Sequence, residues 1–180
     1  MAIRRVVTGH TPAGKSVFAS DGPAPLVRTA PGRDDLGIVA VWATDHGMTA
    51  VPGSDDPTPS MVTYVPGPGG TRFLVTVLPP DSGGPGPVPP QLAGASPAPA
   101  GFPGLNEAME ADNPGMHTTD TVDYDIIMSG ELWLELDDGQ TVHLEPGDIV
   151  IQTGTRHAWR NRGSEPCVMY SIIVGAPRKG

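Results

Sequence analysis

The sequence predicts an all-β fold, a sandwich or barrel of short strands. Its 180 residues include 24 glycines and 22 prolines, which favour turns and loops, so long helices are not expected. In the last third of the chain, short apolar runs alternate with turn signals such as SGE, DDGQ and EPGD. Strands this short at this spacing are typical of a sandwich or a barrel.

Chain length indicates one domain, which we expect to span residues 1–180. A chain of this size can enclose one hydrophobic core but is short for two domains. In the N-terminal part, residues 3–8 and 15–20 are predicted to form a hairpin around the turn-like stretch HTPAG. Residues 38–44 and 72–78 are the next two predicted strands.

The most regular pattern lies in the C-terminal third. Alternation in ELWLELDD places Leu132, Leu134 and Leu136 on one face of a strand. The strands predicted in this region cover residues 125–128, 131–136, 141–144, 149–152, 157–160 and 168–174.

Residues 79–104 separate these two parts and consist mostly of Pro, Gly, Ala and Ser. Proline supplies no amide donor and the segment has few large side chains, so we expect no sheet pairing and little burial there. We predict a long surface loop, mobile or acting as a lid, followed by a short helix over residues 105–111.

Charge and hydropathy exclude several classes of partner. A formal net charge of −9 without a basic stripe argues against nucleic acid and against an anionic membrane. No apolar run approaches the length of a membrane-spanning helix, and IRRVVTGHT at the N-terminus lacks a secretion signal. We therefore expect a cytoplasmic protein. Its single cysteine, Cys167, sits in the apolar run CVMYSIIV, where a buried and inert thiol is expected.

The stretch HTTDTVDYDIIMSG places one histidine and three aspartates where a core strand begins. It resembles the first motif of the cupin superfamily, in which two histidines, a glutamate and a glycine follow at set spacings. His117 matches the first histidine, and Thr119 stands where the second would be. Asp123 stands where the glutamate would be, and Gly130 closes the motif.

A second stretch, PGDIVIQTGTRHAWRN, resembles the second cupin motif. Gly147, Gly154, His157 and Asn161 fit it, and Gln152 replaces the usual proline. The resemblance is strongest over residues 115–175 and implies a cupin-type jelly-roll β-barrel. Small single-domain cupins with an HxxDTVDY-like first motif, found in bacteria and in fungal gene clusters, are the most similar group.

The resemblance also implies a metal site. Cupins with a full set of metal ligands hold one divalent metal with three histidines and one glutamate. The matching positions here are His117, Asp123 and His157. Two imidazoles and one carboxylate suit Fe, Mn, Zn, Ni or Co. The alternative is that the site has lost its metal and these side chains only form hydrogen bonds inside the barrel. His10 and His46, which lie in predicted loops, could supply a fourth ligand.

Asp125 is the predicted catalytic residue. Period-two alternation places it on the same inward face as Asp123, where an apolar side chain would be less costly. Burial raises the pKa of such a carboxyl and a nearby cation lowers it, a balance that suits a general acid or base. The alternative is a carboxylate that only supports a ligand or reaches water at the barrel mouth.

Two further residues are candidates for substrate binding. Trp159 shares a face with His157 and could line a site for an aromatic or polyketide-like substrate, or it could pack in the core. Arg156 precedes that histidine and could meet an anionic substrate, or be solvated. The resemblance also implies that Asn161 is a structural residue that forms hydrogen bonds with neighbouring backbone groups.

Three functions remain open on the sequence alone. One is a metal-dependent lyase or isomerase, acting by dehydration, decarboxylation or tautomerisation on a small carbonyl-containing or polyketide-like substrate, with the metal as Lewis acid. Another is a non-haem iron dioxygenase that uses the same ligands. The third is a non-catalytic domain that binds a small molecule in the barrel. Open sheet edges further predict a homodimer.

Overall fold

The computed structural model describes residues 2–47, 56–97 and 101–178, and these form an all-β fold, as predicted. Besides three short 3₁₀ turns, the described residues contain one single-turn helix, α1 (Leu105–Ala108). Their strands are β1 (Arg4–His10), β2 (Ser16–Pro23), β3 (Leu26–Ala30), β4 (Arg33–Thr44), β5 (Thr71–Leu78), β6 (Ser96–Pro97), β7 (Thr121–Ser129), β8 (Leu132–Glu135), β9 (Thr141–Leu144), β10 (Ile149–Gln152), β11 (Ala158–Arg160) and β12 (Cys167–Gly175).

The strands form three sheets. The largest has the order β10-β7-β12-β5-β4-β3-β6, a second has the order β11-β8-β9, and β1 pairs with β2 in the predicted N-terminal hairpin. Neighbours in the largest sheet are antiparallel except for β3 and β6. Within the described ranges, no helix has the length and apolar composition that crossing a bilayer requires.

One of the hydrophobic core clusters lies between the two larger sheets. Leu132 and Leu134 on β8 pack with Ile127 on β7 and Met169 on β12, so the inward face predicted for β8 is confirmed. Cys167 belongs to this cluster and is fully buried, and burial raises the pKa of its thiol to about 12. The predicted burial of this thiol is therefore confirmed, and the raised pKa favours the protonated form over the reactive thiolate.

Strand prediction differs from the structure mainly at strand ends. Strand β4 begins at Arg33 rather than at residue 38, and β7 begins at Thr121 rather than at residue 125. Strand β3, LVRTA, was not predicted. These stretches carry charged or small polar residues, which are weak strand signals alone, and they are ordered by pairing with the apolar strands beside them.

Within the predicted surface loop over residues 79–104, residues 81–88 are exposed, as expected, but the prediction that the segment buries little and pairs with no strand is wrong further along. Leu92 is fully buried and packs with Val39 and Val75, and Phe102 is also buried. Strand β6 pairs in parallel with β3. Residues 98–100 of this segment lie outside the described residues. The predicted helix over residues 105–111 is the single turn α1, after which Met109 is extended and bridges to the backbone of His117.

Candidate active site

His117 and His157 lie side by side at the junction of the two larger sheets. One stands just before β7 and the other just before β11, and an antiparallel β-bridge joins them. The amide of each residue donates to the carbonyl oxygen of the other at 2.9 Å. Their ring centroids are 4.2 Å apart with the planes inclined at 51°. The two sequence motifs therefore meet through backbone bonds made by the histidines themselves.

Hydrogen bonding fixes the tautomer of both histidines. Nδ1 of His117 lies 2.9 Å from the carbonyl oxygen of Gly115, and Nδ1 of His157 lies 2.9 Å from that of Thr155. A carbonyl oxygen only accepts, so each Nδ1 carries the hydrogen and each Nε2 keeps its lone pair. Burial lowers the pKa of His117, and burial with the charge of His117 lowers the pKa of His157 to about 4. Both rings are therefore neutral at physiological pH.

Two buried carboxyl groups stand on β7, two residues apart on its inward face. Burial raises the pKa of Asp123 to about 6, opposed by the Thr121 hydroxyl. Burial raises the pKa of Asp125 to about 7, opposed by a hydrogen bond from Ser171 and assisted by the charge of Asp123. The Ser171 hydroxyl donates to Oδ1 of Asp125 at 2.6 Å. Among the described residues, Oδ1 of Asp123 and Oδ2 of Asp125 are buried and have no hydrogen-bond partner.

These four side chains line one cavity of about 260 Å³. Both predicted inward-facing aspartates and both predicted histidines thus reach the same space. The remaining walls are largely apolar and come from β4, β5, β12 and the segment around α1. An apolar cavity with a few converging polar groups and shifted pKa values has the character of a small-molecule site.

Trp159 both lines the cavity and packs in the core, so its position is compatible with either interpretation of it. Its ring lines the cavity and lies edge-on to His157, with centroids 5.7 Å apart. It also packs against the core cluster that contains Leu134 and Met169. One face of the indole can thus support the wall of the cavity while its edge borders the histidine.

Arg156 does not line the cavity, contrary to the prediction that it binds substrate. Its guanidinium binds both carboxylate oxygens of Glu110 at 2.6 and 2.7 Å and reaches Asp137 at 2.9 Å. The side chain is directed away from the cavity, toward these two carboxylates. Its role in this structure is to fasten the segment after α1 to the turn before β11.

Thr119 occupies the place of the missing second histidine and lies beside the main cavity. It is buried, and its hydroxyl lies 2.8 Å from the hydroxyl of Thr121. Both threonines line a side chamber of about 50 Å³ that also borders His117 and Asp123. That volume is enough for a water molecule and provides polar partners for it.

The donor chemistry of the predicted ligands fits a divalent transition metal. His117 and His157 each have an Nε2 lone pair, and Asp123 has a carboxylate oxygen that no protein group occupies. Their spacing is less favourable, because no three His, Cys, Asp or Glu side chains of the described ranges stand close enough together to hold a metal. Metal binding would thus need side-chain movement. His10 and His46 are exposed and are not among the residues that line the cavity.

Sequence reasoning missed Ser171 and the apolar wall on β4 and β5. Ser171 interrupts the apolar run CVMYSIIV at an inward position, and a lone hydroxyl in a core strand is a signal that could have identified it. By contrast, the structural role of Asn161 is confirmed. Its amide donates to the carbonyl oxygens of Leu78 and Glu165, and it accepts from the amide of Gly163.

Comparison with known proteins agrees with this architecture. A family model described as the cupin domain matches residues 110–173. Phomopsin biosynthesis cluster protein C' of Diaporthe leptostromiformis is 31% identical over 163 residues, which cover 88% of this chain and 70% of that protein. The cupin-domain-containing oxidoreductase virC of Hypocrea virens is 37% identical over 62 residues, 33% of this chain and 32% of that protein.

Among solved structures, a Cupin 2 conserved barrel domain protein from Salinispora arenicola CNS-205 aligns over 81% of this chain and 80% of its own. The TM-score is 0.40 and the identity is 16%. The described residues are mostly β and form a double-stranded β-helix, the jelly-roll fold. The two motifs, the fold and the relative matched along most of both chains lead to one conclusion: this chain belongs to the cupin superfamily.

Proposed function

We propose that the protein is a metal-dependent enzyme for a small molecule, a lyase or isomerase that moves a proton on a carbon next to a carbonyl group. One observation carries this proposal. Asp125 lines the cavity, and one of its carboxylate oxygens is held by Ser171 while the other is buried without a protein partner. A buried polar atom of this kind needs an explanation, and a substrate proton is a chemically suitable partner.

Asp125 acts as the general acid or base. The Ser171 hydroxyl binds Oδ1 and limits rotation of the carboxyl group, which leaves Oδ2 to take the proton from the substrate carbon and to return it at a neighbouring position. The raised pKa, about 7, is compatible with this role because both protonation states are accessible near neutral pH.

His117, His157 and Asp123 would hold the metal. A bound divalent ion supplies Lewis-acid polarisation of the carbonyl group, which makes the adjacent C–H more acidic. The histidines would bind the metal in their neutral form, because burial lowers their pKa values. Since each Nδ1 carries the hydrogen that its carbonyl partner accepts, each Nε2 keeps a lone pair for the metal. Trp159 and the apolar wall exclude water from the reacting groups.

The relatives support a role in small-molecule biosynthesis. Two matches that span most of this chain are phomopsin biosynthesis cluster proteins, and a shorter match is an oryzines biosynthesis cluster protein. These names describe those proteins and leave the reaction open. They favour a product of secondary metabolism over a reaction of central metabolism.

A non-haem iron oxygenase is the second candidate. One relative, matched over about a third of this chain, is named as an oxidoreductase. Two imidazoles and one carboxylate are also the ligands of open iron(II) sites. The buried acid at Asp125 favours the lyase or isomerase, because oxygen chemistry needs no protein base at that position.

Deuterium exchange tests the proposal without knowledge of the natural substrate. The protein is stripped of metal, reloaded with Zn²⁺ and incubated without oxygen in D₂O with the methyl ketone benzylacetone, and deuterium entering next to the carbonyl is followed by NMR. We expect exchange by wild type and a loss of about 10²-fold or more in Asp125→Asn, as for removal of a general base. Asp120→Asn is the control, since Asp120 pairs with Arg178 on the surface.

Two results would contradict the proposal. Exchange that persists in Asp125→Asn would show that another group moves the proton. Absence of exchange from a panel of small ketones with Zn²⁺, Mn²⁺, Ni²⁺ and Fe²⁺, together with oxygen consumption by the iron form, would favour the oxygenase.

A further inference from the structure

The charge of the cavity wall limits what can bind inside it. Among the described residues that line it, Asp123 and Asp125 are acidic and two are histidines, whereas no lysine or arginine is present. An anion buried here would lose its hydration without gaining a cationic partner from the protein, which is costly. With a divalent metal bound and both carboxylates ionised, the formal charge of the site would be zero, and the protein itself would still supply no cationic side chain.

Arginines near the cavity are committed to other groups. Arg156 pairs with Glu110 and Asp137, and Arg160 pairs with Glu135. Arg72 is buried, but its guanidinium donates to backbone carbonyl oxygens and to a carboxylate outside the cavity. None of the three lines the cavity in the part of the chain that the structure describes.

Sheet register separates a polar end of the cavity from an apolar end. Asp125 on β7 is level with Ser171 on β12, and Ser171 is level with Leu74 on β5. Ile38, on the next strand β4, is level with Thr76 of β5 and lines the same cavity. Strands β7 and β4 are thus three interstrand steps apart, roughly 14 Å measured along the curved sheet.

We propose that the cavity selects an uncharged, elongated substrate with a carbonyl head at β7 and an apolar or aromatic tail toward β4. The identification of the head as a carbonyl rests on the proposed function; the selection against charge and the position of the tail do not. Carboxylates, phosphates and thioesters of anionic carriers are excluded from the interior. The natural substrate is a neutral ketone, aldehyde, lactone or amide of modest size.

Three compounds of equal size test the selection against charge. Benzylacetone, hydrocinnamamide and hydrocinnamate share a phenyl tail and a two-carbon spacer and differ in a neutral ketone, a neutral amide and an anionic carboxylate. Their binding is measured by calorimetry and ligand-observed NMR near pH 8, for metal-free and Zn²⁺-loaded protein. We expect both neutral compounds to bind at least tenfold more tightly than hydrocinnamate in each form.

Two variants test whether charge is the cause. Asp125→Asn removes one carboxylate from the wall, and Leu105→Lys adds a cation on α1, where Leu105 is half-buried and lines the cavity. We expect each variant to raise the affinity for hydrocinnamate severalfold relative to the affinity for benzylacetone. If either variant fails to fold, the other still provides the comparison.

The outcomes separate this inference from the proposed function. Preferred binding of the neutral compounds without any deuterium exchange would support the substrate class and contradict the proposed reaction. Equal or tighter binding of hydrocinnamate by wild type in either metal state would overturn the substrate class even if exchange occurs. Failure of all three compounds to bind would also overturn it, because their tail and head match the two ends assigned to the cavity.

Discussion

His117 and His157 are held together by two reciprocal backbone hydrogen bonds of 2.9 Å, and their rings lie 4.2 Å apart. This bridge positions both imidazoles through the main chain, so their arrangement does not depend on a bound ion. The contact of each Nδ1 with a carbonyl oxygen then sets the ring orientation. The site is therefore preorganised on its histidine side, whereas its carboxylates have oxygens without protein partners.

The first prediction concerns the protonation of these rings. In metal-free protein, nitrogen-15 NMR should show hydrogen on Nδ1 and a bare Nε2 in both histidines. Because burial and His117 lower the pKa of His157 to about 4, its ring should stay neutral as the pH falls through 6. A midpoint for His157 near the ordinary value of 6.5 would contradict the burial described here.

The second prediction concerns stability as a function of pH. Burial raises the pKa of Asp125 from 3.8 to about 7, so the folded state binds this proton more tightly than the unfolded state. The resulting stabilisation is complete below the unfolded pKa and is lost as the pH rises through the folded pKa. In metal-free protein, the free energy of unfolding of wild type should therefore fall relative to Asp125→Asn between about pH 4 and pH 7.

Chemical denaturation of both proteins at several pH values measures this difference. The two histidines, whose lowered pKa values act in the opposite direction, are present in both proteins and largely cancel. A difference that stays constant or rises with pH would show that Asp125 is not a buried, protonated acid in the metal-free fold.

The third prediction concerns Asp35, which fastens the glycine- and proline-rich segment to β4. Asp35 is buried, and its carboxylate accepts from Arg33 and from the amide of Gly86 at 2.8 Å. Asp35→Ala should lower the free energy of unfolding by about 1–3 kcal/mol, because it removes the hydrogen bonds that this buried, charged carboxylate accepts from Arg33 and Gly86.

The same variant should increase protease cleavage in the segment around Gly86. Asp34→Ala, at the exposed neighbouring position, is the control and should change neither property. Unchanged stability and unchanged cleavage in Asp35→Ala would mean that this contact does not anchor the segment.

Periodicity in the sequence predicted the parts of the fold where local pattern and burial agree. The bounds of β9 and β10 are those predicted, and the inward faces of β7 and β8 follow from alternation alone. Strand β3 and the burial of Leu92 could not be predicted in this way, because each is stabilised by pairing and packing with distant residues.

The site residues also divide into those that local pattern predicts and those that depend on distant residues. Asp125 was identified because one strand determines its direction, whereas its partner Ser171 lies on β12, 46 residues away, and became visible only through strand pairing. Arg156 lies outside the cavity, which proximity to His157 in sequence could not reveal, because it does not indicate the direction of a side chain in a turn. Its carboxylate partner Glu110 is likewise 46 residues away.

The homodimer and the cytoplasmic location stay predictions. Strand β10 ends the largest sheet, and Ile149, Ile151 and the adjoining Tyr124 are exposed there. Light scattering of the purified protein measures the number of subunits. A monomer at micromolar concentration would contradict the expectation drawn from open sheet edges.

Metal content is the most direct test of the central claim that His117, Asp123 and His157 form the metal centre of an enzyme. Wild type, His117→Ala, His157→Ala and the control His143→Ala, whose exposed ring contacts Glu131, are purified without added metal and analysed for Fe, Mn, Zn and Ni. We predict near-stoichiometric metal in wild type and in His143→Ala, and its loss in both site variants. Wild-type protein that retains no metal, even after reconstitution with each ion, would contradict the account and leave the cavity as a binding pocket.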